Sequence, residues 1–270
     1  MYDHGTYAKY KLDNCRCYPC CGAGSAYRMN RSRAIAYGTW QPFVDAEPVR
    51  QHIQHLRGCG LGMRRIAELA GVDQCQMRRI VNGMRGKPPI ARMRPANAQA
   101  ILAVEPTLDN IAPKTVIDAA GSRRRLQALV CLGWSQSKLA DRLGMTVRNF
   151  STLMRTPRIT AGKARQIRAL YDALWDQAPP EATHHEKSAA SRARNYANAR
   201  RWLPPMAWDD DLIDLPAAEL VTELKRRIDQ MDDAEMRSHR YARYTLGERS
   251  PLIAAAAREF ERRRLSKVAS

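Results

Sequence analysis

The stretch 126–154, LQALVCLGWSQSKLADRLGMTVRNFSTLM, combines helical apolar spacing with well-placed turn residues. Gly133 and Gly144 can end helices in a left-handed conformation, and Ser135 and Thr146 can cap the helices that follow. The apolar residues of the three predicted helices are Leu126, Leu129 and Val130, then Leu139, Ala140 and Leu143, then Phe150, Leu153 and Met154. Their i, i+3, i+4 spacing and the glycine turn predict two short helices that cross closely, as in a helix-turn-helix. A three-helix packing unit without a binding role would use the same leucines and is the alternative.

The same pattern occurs 73 residues earlier in the chain. This shift matches Ile53, Leu56, Gly60, Ile66, Ala67, Ala70, Gly71, Val72, Met77, Ile80 and Val81 with Leu126, Leu129, Gly133, Leu139, Ala140, Leu143, Gly144, Met145, Phe150, Leu153 and Met154. Asp73 replaces Thr146 as the expected cap of the third helix. Chance rarely keeps core residues, caps and turn glycines in one register, so the chain contains two copies of one unit.

A basic linker and a further predicted helix follow each copy, and Pro95 or Thr160 begins that helix. The segment WQPFVDAEPVR precedes the pair and WLPPMAWDDD follows it. This order resembles the tandem helix-turn-helix proteins of actinobacteriophages and their hosts, whose units are of the phage-repressor type. The resemblance covers roughly residues 1–215. It implies a fold and DNA binding but no particular operon.

We therefore predict an all-α protein with two tandem helix-turn-helix domains, a small Cys/His N-terminal head and a C-terminal helical extension. The expected divisions are a Cys/His-rich head with a basic helix at 1–45, the first helix-turn-helix domain at 46–105, a connector at 106–118, the second helix-turn-helix domain at 119–178, a basic linker and helix at 179–205, and the C-terminal extension at 206–270.

Positive charge is concentrated in the two copies. The net charge is +18, and residues 46–95 and 122–178 contain ten and eleven basic residues against three acidic residues each. The connecting residues 96–121 contain one basic and three acidic residues. Most of the basic residues are arginines, which suit planar contacts to phosphate or guanine. Solvated basic faces are the alternative, but two arginine-rich repeats favour nucleic-acid binding.

The third helix of each copy would present side chains that can read bases. Glutamine can pair with adenine in the major groove and arginine with guanine. The candidates are Gln74, Gln76, Arg78 and Arg79 in the first copy and Arg148, Asn149 and Thr152 in the second. Further DNA contacts, mainly to the backbone, are expected from Arg64, Arg65, Arg92, Arg94, Arg123, Arg124, Ser135, Gln136, Thr146, Arg155 and Arg158. A basic helix at 24–38 could contact phosphate or a minor groove through Arg28, Arg31 and Arg33, or be an ordinary exposed helix.

The N-terminal 21 residues hold a dense cluster of metal-ligand side chains. Cys15, Cys17 and Cys20 bring three thiols together, and His4 or Cys21 could complete a tetrahedral zinc site. Free thiols and an iron–sulfur cluster are the alternatives. Proteins of the family that the chain resembles keep a similar His-Gly…Cys-x-Cys-x2-Cys head, which supports a metal site without identifying the metal.

Several classes of protein are not expected. The sequence has no Gly-rich phosphate loop, HExxH motif or nucleophile elbow, and Asp209–Asp211 are contiguous, so their carboxylates cannot easily converge on metals. We therefore expect no enzymatic activity and no small-molecule substrate. No apolar run could span a membrane and no signal peptide is visible, so we expect a protein of the bacterial cytoplasm, on the nucleoid or on phage DNA.

The sequence thus predicts a duplex-DNA-binding regulator of phage origin, most simply a repressor that reads two adjacent half-sites. Two alternatives remain open: an accessory DNA-architecture factor for recombination or packaging, and a factor that contacts host RNA polymerase. The C-terminal region is acidic at 206–235 and basic at 236–270. Self-association and contact with a host transcription protein are its candidate roles.

Overall fold

A computed structural model of the chain describes residues 2–269, and the side chains of residues 2–266. The described chain is mostly helical, as predicted, with short strand pairs. It divides into two compact units, Met1–Glu105 and Pro106–Ser270. No helix of the described residues is both long and apolar enough to cross a bilayer.

The first unit contains six helices and one strand pair within the described residues. The helices are α1 (Tyr7–Lys11), α2 (Tyr18–Ala36), α3 (Glu47–Gly58), α4 (Met63–Ala70), α5 (Gln74–Val81) and α6 (Pro95–Leu102). Strands β1 (Val44–Asp45) and β2 (Arg92–Met93) pair antiparallel and flank the helices α3 to α5 in sequence. The core of this region includes Ile53, Leu56, Ile66, Met77, Ile80 and Ile101.

The second unit repeats this order and then extends it. Its elements are β3 (Val116–Asp118), α7 (Ala120–Leu132), α8 (Gln136–Arg142), α9 (Val147–Leu153), β4 (Arg158–Thr160), α10 (Ala161–Leu174), α11 (His184–Ala199), a 3-10 turn (Pro205–Ala207), α12 (Ala217–Asp229), α13 (Asp233–Tyr241), a π-helical turn (Ala242–Leu246) and α14 (Pro251–Ala269). Strands β3 and β4 pair antiparallel. Phe150, Leu126, Leu129 and Leu139 are fully buried in a core that also includes Ile167.

The strand pairs extend the repeat beyond the three helices. Asp45 lies opposite Arg92 in β1–β2, and Asp118 lies opposite Arg158 in β3–β4. Each aspartate also accepts a backbone hydrogen bond at the start of the next helix: Asp45 from Glu47 at 3.0 Å and Asp118 from Ala120 at 2.6 Å. The sequence predicts that residues 44–45 are part of the head and residues 116–118 part of the connector. In the structure each of these segments pairs with the strand that follows the third helix of its copy.

The helix caps lie where the sequence predicts them. The side chains of Asp73 and Thr146 cap α5 and α9, with Asp73 accepting from Cys75 at 2.8 Å and Thr146 from Asn149 at 3.3 Å. Ser135 caps α8 in the same way. Gly71 and Gly144 both have φ of +62°, so the turn before each third helix has the left-handed geometry that glycine adopts without a Cβ penalty.

Helix α11 packs against α7 and has no counterpart after α6, where residues 104–115 form no helix. Its buried face consists of Ala190, Ala193 and Ala197. A Cβ at Gly133 would crowd this contact, since it would lie 3.2 Å from the Pro179 Cγ and 3.3 Å from the Ala190 Cβ. Gly133 also has φ of +109°, so a larger residue would be strained as well as crowded.

The C-terminal helices α12, α13 and α14 form a small cluster around Ile228, Met236 and Ala256. One ion pair joins the oppositely charged segments, since Arg263 lies 3.7 Å from Asp233, and Arg240 pairs with Glu261 within the basic segment. Ion pairs within the C-terminal region therefore neutralise part of the charge of these segments.

Candidate functional site

The N-terminal head brings four candidate metal ligands together. His4 precedes α1, Cys15 and Cys17 lie between α1 and α2, and Cys20 lies in the first turn of α2. Helices α1 and α2 pack through a stacked pair, Tyr7 and Tyr27, with ring centroids 3.9 Å apart. This contact closes the hairpin whose loop and N-terminus supply the ligands.

The geometry of the cluster fits a tetrahedral metal. His4 Nδ1 lies 3.2 Å from the Cys17 sulfur, 3.5 Å from that of Cys15 and 3.8 Å from that of Cys20. The sulfurs of Cys15 and Cys17 are 3.5 Å apart, and all four ligand atoms lie within 4.8 Å of one another. Zinc with bonds of about 2.3 Å to sulfur and about 2.05 Å to nitrogen would need N···S and S···S separations of about 3.6 and 3.8 Å. The four side chains therefore could hold one metal ion.

Other contacts support this ligand set. The backbone N–H of Gly5 donates to the buried Cys20 sulfur at 3.3 Å. The backbone N–H of Cys17 lowers the pKa of the Cys15 thiol below its ordinary value, whereas the neighbouring thiols of Cys20 and Cys15 outweigh the backbone N–H of Cys20 and raise the pKa of Cys17. Cys21 is outside the cluster, because its thiol donates to the carbonyl oxygen of Arg16 at 3.2 Å. The open choice between His4 and Cys21 is thus resolved in favour of His4.

The basic residues predicted near the head lie on α2. Arg28, Arg31 and Arg33 are exposed, and the Arg31 guanidinium lies over the ring of Trp40 at 5.6 Å. Arg28 also donates to Ser25 at 3.3 Å. Within the part of the chain that the structure describes, none of these three arginines forms an ion pair with a carboxylate.

The third helix of the first copy, α5, exposes its predicted base-reading residues. Gln74, Gln76, Arg78 and Arg79 are all exposed, whereas Met77 and Ile80 are buried. The Gln76 side-chain oxygen accepts a hydrogen bond from Asn97 of α6 at 2.7 Å. Asn97 was not predicted from the sequence. Because Gln76 accepts in this contact, its amide N–H groups can donate to another partner.

The arginines around α5 differ in how far their charge is compensated. On α4, Glu68 forms ion pairs with Arg64 at 2.9 Å and Arg65 at 3.5 Å. The hydrogen bond from Arg64 lowers the pKa of the Glu68 carboxyl. Arg92 and Arg94 are exposed on either side of the buried Met93, so their alternation directs both to the same face. These two remain accessible positive charges near the end of β2.

The third helix of the second copy, α9, presents a continuous polar surface. Thr146, Arg148, Asn149 and Thr152 are exposed, and Phe150 between them is fully buried. Three residues on its outer side, Arg148, Ser151 and Thr152, line a shallow groove together with Arg155 and Thr156, which follow the helix. The arrangement places two arginines along one polar groove.

The remaining residues of the second copy that are predicted to contact DNA differ in their exposure and in their contacts. Ser135 and Gln136 are half-buried at the start of α8, and the Ser135 hydroxyl is used as a cap. Arg158 is exposed on β4, and Arg123 donates to the Thr156 carbonyl at 3.3 Å, close to the α9 groove. These side chains border the surface of α9 without belonging to the helix.

Arg124 is engaged inside the second unit. Its guanidinium donates to the carbonyl oxygens of Ile213 (2.9 Å) and Leu215 (2.5 Å) and lies 5.0 Å from the centre of the Trp208 ring. Burial lowers its pKa. Arg124 therefore organises the segment that follows the 3-10 turn, a role that differs from the predicted DNA contact.

Arg125 anchors the same segment. It forms a two-pronged ion pair with Asp214, including a hydrogen bond of 2.9 Å, and only 10% of its side chain is exposed. Gly121 makes room for this contact, because a Cβ there would lie 2.9 Å from the Asp214 Cα and would collide with its carboxylate. The RRR run and Gly121 were the only sequence signals of this interaction.

Comparison of the chain with protein-family models, curated proteins and solved structures gave no match.

Proposed function

We propose that the chain is a sequence-specific duplex-DNA-binding protein in which α4–α5 and α8–α9 are tandem helix-turn-helix motifs. One observation carries this proposal: the equivalent helices α5 and α9 both expose polar and basic side chains and contain no acidic residue. A packing unit without a binding role has no need for this shared surface in both copies. A DNA-binding helix does need such a surface, because acidic residues that face the DNA would repel its phosphates.

In this proposal α5 and α9 are recognition helices that enter the major groove. Helix-turn-helix proteins read bases with the N-terminal part of such a helix, where Gln74 and Gln76 lie in one copy and Arg148 and Asn149 in the other. Because Asn97 occupies the Gln76 oxygen, the amide N–H groups of Gln76 would donate to a base acceptor. The two copies differ in these side chains and would read different half-sites.

Fusion of two binding units gives the simplest mechanism for regulation. Once one unit binds, the second reaches its half-site at a high effective concentration without dimerisation. A protein held on two half-sites would block RNA polymerase from an overlapping promoter. We propose repression of this kind, by a regulator of phage origin.

We further propose that His4, Cys15, Cys17 and Cys20 bind structural zinc. One imidazole and three thiolates are a usual closed zinc set, and closed sites contribute folding energy. Zinc would hold the N-terminus of the head against α2. No catalytic role is proposed for it.

The DNA proposal is tested by measuring affinity for a genomic site found by mapping bound DNA, and for a scrambled duplex, across a range of salt concentrations. We expect tighter binding to the mapped site and a log–log salt slope of about −0.9 for each phosphate neutralised. A slope near zero contradicts DNA binding. Equal affinity for the two duplexes contradicts sequence-specific recognition.

The zinc proposal is tested by metal analysis of protein purified without added zinc. We expect about one equivalent of zinc, lost in Cys17→Ser and retained in Cys21→Ser. Cys21 is a matched control, because it is in the same segment but its thiol faces the Arg16 carbonyl. Loss of the metal in both variants, or in neither, contradicts the ligand set.

A further inference from the structure

A second groove lies beside the proposed recognition helix α9 and was not anticipated from the sequence. It has a volume of about 460 Å³ and separates α11 from the starts of α8 and α9. Its polar lining consists of Ser135, Gln136, Ser137, His185, Arg192 and Tyr196, and the rest of the lining is apolar, from Val130, Ala189, Ala193 and Val147 of α9. The groove is therefore continuous with the proposed DNA surface.

Several contacts fix the α11 wall of this groove. The helix buries three alanines against α7, and Lys138 of α8 lies 3.6 Å from Glu186. A capping box between Thr183 and Glu186 begins the helix. The Trp134 indole donates to the Gln177 carbonyl at 3.0 Å and holds the chain that leads to α11. Contacts within the second unit therefore hold the α11 wall of the groove in place.

The polar residues of the groove suit an anion. None of the described residues that line it is acidic. Arg192 is exposed and forms no ion pair among the described residues, whereas Arg194 on the same helix pairs with Glu181 at 2.8 Å. The Arg192 guanidinium is therefore available to a ligand. The side chains of Gln136 and Ser137 on the opposite wall can donate hydrogen bonds to the same anion.

We propose that this groove binds the backbone phosphate of DNA next to the site that α9 reads, with Arg192 as the main contact. This inference rests on the proposed function, since α9 must face DNA for the adjacent groove to meet a phosphate. Phosphate contacts fix the position of a protein on the duplex and carry no base preference. The first copy has no helix equivalent to α11. The second copy would therefore have the larger phosphate footprint.

The test compares Arg192→Ala with Lys187→Ala on the mapped and scrambled duplexes. Lys187 is an exposed basic residue on the same helix, and helical periodicity directs it away from the groove. Loss of one phosphate contact should make the salt slope shallower by about 0.9 and weaken binding about eightfold at about 0.1 M salt. We expect this loss for Arg192→Ala on both duplexes, little change for Lys187→Ala, and recovery of most affinity in Arg192→Lys. Circular dichroism of each variant checks that α11 remains folded.

The outcomes distinguish this inference from the function on which it rests. If the wild-type protein binds DNA with a steep salt slope but the two alanine variants are equal, the groove assignment is wrong and the DNA proposal stands. If Arg192→Ala weakens only the mapped duplex, Arg192 contacts a base and the phosphate assignment is wrong. If the wild-type slope is near zero, both proposals are overturned.

Discussion

The substitution Asp214→Ala tests whether the segment after the 3-10 turn is held on α7 by a charge pair. Asp214 accepts two hydrogen bonds from Arg125, whose side chain is 10% exposed. The Arg125 Nε is already buried without a hydrogen-bond partner, so removal of Asp214 would leave only the contact with the Tyr171 ring, whose centre is 5.6 Å away, and solvent. The variant should destabilise the second unit.

The magnitude follows from the unequal exposure of the pair. Breaking a fully buried ion pair costs about 3–5 kcal/mol, because an uncompensated charge is left behind. The Asp214 side chain is 55% exposed, so water can reach part of the vacated position and reduce the cost. We expect a loss of about 2 kcal/mol in the free energy of unfolding, or a fall in Tm of about 4–8 °C for a unit of this size.

Tryptophan fluorescence during thermal unfolding is a suitable assay, since four of the five tryptophans, Trp134, Trp175, Trp202 and Trp208, lie in the second unit. Asp211→Ala is the matched control. Asp211 belongs to the same segment, and its partner Arg227 keeps a second carboxylate, Glu223, at 2.9 Å. The control should lose less than about 1 kcal/mol. Equal effects of the two substitutions would refute the reasoning.

A double variant separates the charge from the packing. In Asp214→Ala combined with Arg125→Met, the buried positive charge is removed together with its partner. Replacement of a buried pair by apolar residues is often nearly neutral, so stability should largely return. A double variant as unstable as Asp214→Ala would mean that the loss does not come from the uncompensated charge of Arg125, and would contradict the charge-pair reasoning.

Three further predictions concern recognition, the core and pH. Arg148→Ala should cost about 1–3 kcal/mol of binding to the mapped duplex and relax the preference there, whereas Arg94→Ala should weaken mapped and scrambled duplexes alike, as measured by titration at fixed salt. Phe150→Ala should lower the free energy of urea unfolding by about 3–5 kcal/mol, because the fully buried ring leaves a cavity. Hydrogen bonds, first from Arg262 and then from Arg263, lower the pKa of Glu259 to about 2 from 4.5, so its stabilisation should be complete above pH 4.5 and lost as the pH falls through 2. Melting curves of Glu259→Gln and wild type should therefore differ at neutral pH and converge near pH 2.

The helices and their ends could be predicted from the sequence because the forces that define them are local. An apolar stripe needs only the spacing of Leu126, Leu129 and Val130, and a cap needs only one oxygen two or three residues before the amide that it accepts from. Asp73, Ser135 and Thr146 satisfy this condition within their own turns. The 73-residue shift strengthened the prediction, since two independent stretches obey the same rules.

The strand pairs were missed for the opposite reason. They contain two or three residues each, too few for an alternating pattern, and the loops between third helix and strand differ in length between the copies. The constant 73-residue register therefore breaks down before β2 and β4. Only the folded chain brings Asp45 opposite Arg92 and Asp118 opposite Arg158.

The sequence by itself determined the helical repeat, its caps and the presence of a ligand-rich head, because neighbours along the chain decide these features. Tertiary structure decided which side chains are available. The ligand atom of His4 lies in the cysteine cluster, whereas the thiol of Cys21 contacts the Arg16 carbonyl. The guanidinium of Arg124 binds backbone carbonyls inside the second unit, whereas Arg192 is exposed. Arg125 and Asp214 are 89 residues apart, and no periodic pattern records a contact over that distance. Such pairs form only when packing brings distant segments together. For this reason, only the tertiary structure shows which arginines are used in internal contacts and which are available to a ligand.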